Sequence, residues 1–227
     1  MKRLILLSLM LTVVLAGCKV DVKTDLYISD IRAVRYDGKA LETDGLLMFQ
    51  IPTQDTFTRK QADIERLLKT YFKGVENIRT IKQGMEHYVV ANIQVPIYKS
   101  QDGNTDLHET ISFAVMDLRE KYNLTGVVLA ISEQEYQKLS NDVQKQFIGK
   151  LDPDSFRVTV YVNNDGRGPE AINVSSVYLD GKPIPGYSTI TLKKRGKREL
   201  VVSRIATINA LKSGGDMFLR LNEPKGE

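Results

Sequence analysis

Thiols and imidazoles are scarce in this chain: Cys18 is its one cysteine, and His87 and His108 are its two histidines. A lone cysteine excludes an internal disulfide, and an odd thiol in an exported protein needs its own explanation. Zinc would find no cysteine pair and would have to draw on carboxylates and distant partners. His108 stands beside Glu109, but the second histidine of a zinc-protease motif would fall on Ser112, so that motif fails. His87 alternates with Val89 and Ala91 and reads as a strand-end core residue, not a catalyst. Asp102, Asn104 and Asp106 open like a calcium loop, but Leu107 replaces the required glycine and Phe113 the closing glutamate. The stretch reads as a turn running into a helix cap.

Other absences narrow the chemistry further. The chain has no G-x-S-x-G, no S-x-x-K after residue 17 and no phosphate-binding glycine loop. We therefore expect no catalytic residues, no metal site and no cofactor. Charge of one sign is also lacking, with 32 basic against 28 acidic residues. Nucleic-acid binding would call for a concentrated basic face, so it is not expected. After Leu15 there is no second long apolar run, and nothing else in the sequence reads as a membrane span.

What is present begins at the front. Lys2 and Arg3 precede twelve mostly apolar residues, Leu4 to Leu15, and then Ala16, Gly17 and Cys18. A helix of that length rises roughly 18 Å, short of the ~30 Å hydrocarbon core of a bilayer. A basic start, a short apolar stretch and small residues form the layout of a secretory signal peptide, expected over 1–17. The run Leu15-Ala16-Gly17-Cys18 resembles the lipobox of bacterial lipoprotein precursors. That resemblance covers residues 1–18 and implies a diacylglyceryl group on the Cys18 sulfur, cleavage before it and acylation of the new amino terminus. One myristoyl-sized chain binds a membrane only marginally, whereas two or three on one residue hold it there. Lys19 follows the cysteine. In the Gram-negative members of the class, an aspartate at that position signals inner-membrane retention. Lys19 thus implies sorting to the outer membrane, facing the periplasm.

The alternation of Val20, Val22, Leu26 and Ile28 with Lys19, Asp21, Lys23 and Asp25 predicts a strand directly after the cysteine. No polar leash intervenes, so the folded body is expected within about a nanometre of the bilayer. A second strand is expected over Leu46–Ile51. A helix is expected from Thr58, striped by Ile64, Leu67, Leu68, Tyr71 and Phe72 and closed by Gly74. His87–Ile97 reads as a strand with Val89, Ala91, Ile93, Val95 and Ile97 on one face. Asp106 and Glu109 suggest a second helix carrying Leu107, Ile111, Val115 and Leu118. Thr125–Ile131 is an apolar strand, and Ser132 with Glu135 caps a third helix striped by Tyr136, Leu139, Val143 and Phe147.

Leu151–Ser155 is the expected domain boundary, and beyond it only short strands and Gly/Pro turns are read. The expectation is therefore α+β. An α+β membrane-proximal domain of mixed strands and about three helices spans 18–150, and a small antiparallel β-sandwich or barrel-like domain spans 155–227.

One charged stretch stands out: Lys193, Lys194, Arg195, Lys197 and Arg198 surround Gly196 between two strands. Such cations add about 1 kcal/mol each near anionic headgroups, so contact with an anionic surface is one reading; a solvated hairpin tip that discourages edge pairing is the other. The sequons at Asn123–Thr125 and Asn173–Ser175 carry no weight behind a bacterial front end. The expectation is a lipid-anchored, non-catalytic envelope protein that binds or supports an unidentified envelope protein partner at the membrane surface. An exclusion or immunity lipoprotein of a phage or plasmid, and a hydrolase of envelope material, remain as alternatives.

Overall fold

The computed structural model describes residues 18–100, 109–147, 151–184 and 186–222. The expected signal peptide over 1–17, the Asp102–Asp106 stretch and His108 lie outside the described residues.

Among the described residues the chain forms thirteen strands and five α-helices. The first part comprises β1 (Val20–Tyr27), α1 (Ile28–Asp37), β2 (Leu41–Ile51), α2 (Gln54–Tyr71), β3 (Lys73–Gln83) and β4 (Glu86–Lys99). Next come β5 (Ile111–Leu118), α3 (Arg119–Tyr122), β6 (Leu124–Ile131) and α4 (Glu133–Gln146). A single 3-10 turn (Pro153–Ser155) leads into β7 (Phe156–Asn163), β8 (Glu170–Ser175), β9 (Val177–Leu179), β10 (Lys182–Pro183), β11 (Tyr187–Leu192), β12 (Lys197–Val202), α5 (Arg204–Ser213) and β13 (Asp216–Asn222).

All strands join one sheet, in the order β10-β9-β12-β7-β1-β2-β4-β5-β6-β13-β8-β11, with β3 paired to β4. Most pairs are antiparallel, but β1 runs parallel to β7 and β4 to β5, so the sheet is mixed. Its curl follows from one corner. β8 and β9 lie near opposite ends of the strand order, yet only Ser176 separates them along the chain. Ser176 takes a φ of 57°, a left-handed value that kinks the strand, and its carbonyl accepts a hydrogen bond from the Ser203 N–H at 2.8 Å. A strand that serves both ends of a sheet can do so only if the sheet curls round.

The concave side holds the main core. Val20, Val22 and Leu26 of β1, Val89 to Ile97 on one face of β4, and Val158, Val160 and Val162 of β7 are buried there. Ile31 and Val34 of α1, Ile64 and Leu68 of α2, and Leu139 and Val143 of α4 pack into the same cluster. Phe49 meets Phe147 at 5.9 Å between ring centroids, joining β2 to the end of α4. The outer side carries two small apolar patches, one around Met48, Tyr88 and Val90 and one around Ala114, Val128 and Ala130.

The fold is thus mixed α and β, as expected, but several expectations are overturned. Leu151–Ser155 does not divide the sheet: β7 pairs with β1, and β13 with β6, across that point. Leu151 is buried, and its carbonyl accepts from the Tyr136 hydroxyl at 3.0 Å and the Ser140 hydroxyl at 3.1 Å. Residues 155–227 therefore contribute strands to both flanks of one sheet instead of a sheet of their own.

The helix expected around Ile111, Val115 and Leu118 is β5. Ile111 to Val115 are all buried, so both faces of the strand are covered and no period distinguishes it from a helix. Residues 155–227 also hold a helix, α5, whose buried face is Ala206, Thr207, Ala210 and Leu211, too small and polar to read as a stripe. α2 begins earlier than Thr58: Thr53 is its cap, accepting from the Thr56 N–H at 3.2 Å, and Lys60 kinks it. Phe72, not Gly74, ends it. The expected stripe of Ile64, Leu67, Leu68 and Tyr71 is buried, and Ser132 caps α4 through the Glu135 N–H at 3.3 Å.

Candidate functional site

Two features singled out in the sequence, Cys18 and the basic run, occupy opposite ends of the curled sheet. β1 and β7 run parallel in register from Val20 beside Phe156 to Tyr27 beside Asn163. From Cys18 to Tyr27 a strand covers about 30 Å, at ~3.3 Å per residue.

At the near end, Cys18 continues the inward series of Val20 and Val22 and is 7% exposed. Burial pushes its thiol pKa up. Lys19 faces outward, and its Nζ lies 2.5 Å from Glu86 Oε1. That contact, with a further hydrogen bond from the Tyr88 hydroxyl, holds the Glu86 carboxyl below its usual range. Glu86 begins β4, so the β3–β4 turn is brought beside the amino-terminal end of β1. The tip residue, Met85, is 94% exposed. His87 is half-buried at the same end, opposite Ile51 and Lys82.

At the far end, α1 packs against β1, β4, β5 and β6. Ser29 donates to Asp165 from both its backbone N–H and its hydroxyl, and Arg32 pairs with Glu170 at 2.7 Å. These contacts tie the loop between β7 and β8 to α1. Arg35 is wholly buried and donates to Thr125 Oγ1 at 2.6 Å. Nearby, Arg119 lies against both Asp117 carboxylate oxygens, and its hydrogen bonds are the chief reason the Asp117 carboxyl is held low.

The basic run lies at this far end, because Lys197 pairs with Asn163 and Asn163 neighbours Tyr27. Lys193 to Gly196 form a turn closed by the Gly196 N–H donating to the Lys193 carbonyl at 2.8 Å. Arg195 takes a φ of 57° there, a position glycine or asparagine fills more readily. The buried side chain of Asn164 braces the turn. Its Nδ2 donates to the carbonyls of Gly168 (2.9 Å), Leu192 (3.2 Å) and Lys193 (3.0 Å), and its Oδ1 accepts from Gly166 N–H (3.0 Å).

The five cations do not act alike. Lys197 pairs with Asp25 at 2.7 Å and sits 4.3 Å from the Tyr161 ring centre; Arg198 faces Asp180 at 3.6 Å. Lys193, Lys194 and Arg195 are exposed and make no ion pair among the described residues. Within the run, the charge left without a counter-ion among the described residues is therefore that of Lys193, Lys194 and Arg195.

The outer face also bears an open groove of about 390 Å³ lined by Asp154, Arg157, Tyr178, Glu199 and Arg204, in which Asp154 is already paired with Arg204. Among the described residues no cluster of three or more histidine, cysteine or acidic side chains could hold a metal ion. No helix among them is long and apolar enough to cross a membrane.

Residues 20–225 match the family model described as a domain of unknown function, DUF7424. The chain belongs to this family. The DUF7424 match starts two residues after Cys18 and runs through Leu151–Ser155 without a break, as the sheet does. A search of curated proteins finds no match, and a search of solved structures finds none. Asn164, Met85 and the free edge of β11 were not singled out in the sequence. An isolated asparagine, a turn methionine and an uncharged strand carry no motif, and only their neighbours give them roles.

Proposed function

We propose that this chain is a bacterial lipoprotein of the envelope, held by acyl chains on Cys18, which acts without catalysis by binding a protein partner at the membrane surface. Sorting to the outer membrane, facing the periplasm, is part of the proposal and rests on Lys19 following the cysteine. The observation that carries it is the register: the anchoring residue stands two residues before β1, and the three cations of the basic run that make no ion pair among the described residues stand at the other end of that strand. A body tethered at Cys18 with no leash sits with its near end on the leaflet and its far end directed away. Lys193, Lys194 and Arg195 then meet the acidic surface of a partner, not the headgroups of the anchoring leaflet.

The burial of Cys18 sets an order of events. A thiol packed inward with a raised pKa is a poor nucleophile and has no room for acyl chains. In this reading the sulfur is modified before the near end of the core closes, and the modified residue stays outside it.

Two measurements test the proposal. Labelled palmitate is expected on the wild-type chain and not on Cys18→Ser, with the variant leaving the membrane fraction. The chain has no tryptophan, so Met85→Trp and Lys194→Trp each install a single reporter in the anchored protein. Trp at 85 should be quenched by spin-labelled lipid, and Trp at 194 by aqueous iodide. Membrane retention of Cys18→Ser, or lipid quenching at 194 instead of 85, would overturn the anchoring geometry.

A further inference from the structure

Strand edges are liabilities that proteins usually blunt with charge, proline, bulges or brevity. Two of the three edges of this sheet follow that rule. β10 is two residues long and ends in Pro183. β3 carries Lys73, Glu76, Arg79 and Lys82 and breaks register twice, between Lys73 and Glu76 and between Glu76 and Arg79.

The third edge, β11, does not. Its sequence, Tyr-Ser-Thr-Ile-Thr-Leu, has no charge and no proline. It pairs with β8 in unbroken register from Tyr187 beside Ser175 to Leu192 beside Glu170, and it terminates the strand order. Tyr187, Thr189 and Thr191 are exposed. The Leu192 carbonyl accepts from Asn164 at 3.2 Å, and the alternation of an antiparallel ladder then turns Ile190 and Ser188 outward too. The edge thus presents the N–H and C=O groups of Ser188 and Ile190 in a regular row on a strand of high β propensity, the Leu192 carbonyl at its end being already taken by Asn164.

Both ends of that row are cationic. Lys193, Lys194 and Arg195 follow Leu192 directly. At the other end Arg220 donates to the Tyr187 hydroxyl at 2.5 Å, with its guanidinium 4.2 Å from the ring centre. A second copy pairing antiparallel would set the Lys193–Arg195 turn of each chain against Arg220 of the other, cation on cation. An acidic segment meets no such conflict.

We infer that the free edge of β11 docks an extended segment of a protein partner by strand addition, taking an uncharged core of about six residues flanked by aspartates or glutamates. Main-chain hydrogen bonds to the edge supply the affinity, and the flanking cations select the acidic ends. The inference rests on the docking function proposed above and gives it a surface and a partner chemistry.

The test uses the full-length protein in detergent and fluorescence anisotropy with two synthetic peptides. Both have a Thr-Val-Thr-Val-Thr-Val core; one carries two glutamates at each end, the other two lysines. At low salt the acidic peptide is expected to bind at least about tenfold more tightly. Ser188→Pro, which removes an outward N–H and spares the bonds to β8, should weaken it by about fivefold or more. Reversing Lys193, Lys194 and Arg195 to glutamate should shift preference to the lysine peptide while leaving β11 intact, and circular dichroism confirms that each variant is folded. Equal binding of the two peptides, or undiminished binding by Ser188→Pro, overturns the inference, as does a β11-dependent dimer in sedimentation. Palmitate labelling is independent of this assay, so loss of peptide binding leaves the anchoring reading standing, and loss of anchoring leaves the edge intact.

Discussion

Asn164→Ala isolates what holds the basic turn in place. The side chain is 1% exposed, and its single amide serves three carbonyls and one backbone N–H drawn from two loops. A net hydrogen bond contributes about 1 kcal/mol, and a buried carbonyl left without a partner costs about 1–3 kcal/mol. The Gly168 and Lys193 carbonyls are only partly buried, so water replaces the amide there; the Leu192 carbonyl is buried and loses its partner outright. The expected loss is therefore about 2–4 kcal/mol. For a chain of this size each kcal/mol moves the unfolding midpoint by roughly 2–4 °C, so about 3 kcal/mol lowers it by about 6–12 °C. Circular dichroism melts read this directly. Asn173→Ala is the comparison, since Asn173 bonds Asn222 and Thr189 through exposed side chains that water substitutes, and a shift within about 0.5 kcal/mol is expected. If the two variants melt together, the brace is not what stabilises the turn. A second consequence is that Arg195, held at its left-handed φ by this turn, loses that geometry in Asn164→Ala.

Two further outcomes follow from the core and the near end. Phe49→Ala, at a wholly buried ring against Phe147, should cost about 3–5 kcal/mol by urea unfolding, and a loss under about 1 kcal/mol would show that α4 is not fastened there. Glu86 has its carboxyl pKa depressed, first by Lys19 and then by Tyr88, so its contribution is present above the ordinary carboxylate range and is lost as pH falls through and below it. Because the pair is half-exposed the effect is small, but Glu86→Gln should flatten the acid side of the stability–pH curve; an unchanged slope would refute it.

The parts of the fold legible in the sequence are mostly those buried on one side; β6, buried on both, is legible instead as a short, wholly apolar run. β1, α2, α4 and β4 from Asn92 onward each set a polar face against an apolar one, and period alone names them. β5 is covered on both faces and loses its period, while α5 buries alanine and threonine and never shows a stripe. α1 was hidden because its first residue, Ile28, extends the alternation of β1 into the helix. β3 is only partly buried along its length and gives no regular alternation at all. The candidate site divides the same way. The Leu-Ala-Gly-Cys run and the cluster of cations are plain as strings of residues, but Lys197 and Arg198 look like their neighbours until Asp25 and Asp180 neutralise them across the sheet.

By itself the sequence determined the local facts: one cysteine closing an apolar run, a strand starting at once behind it, capped helices, and charge gathered between two late strands. Such features depend on residues a few positions apart, where side-chain type and spacing act directly on the backbone. Tertiary structure alone decided that one sheet unites both halves, that Cys18 and Lys193 stand at opposite ends, and that β11 keeps an open edge. Each of these depends on strands that pair across long stretches of chain, above all β1, which takes β7 more than a hundred residues later. Hydrogen-bonding groups on a backbone are the same for every residue, so which strand pairs with which is settled by how all the buried faces close together.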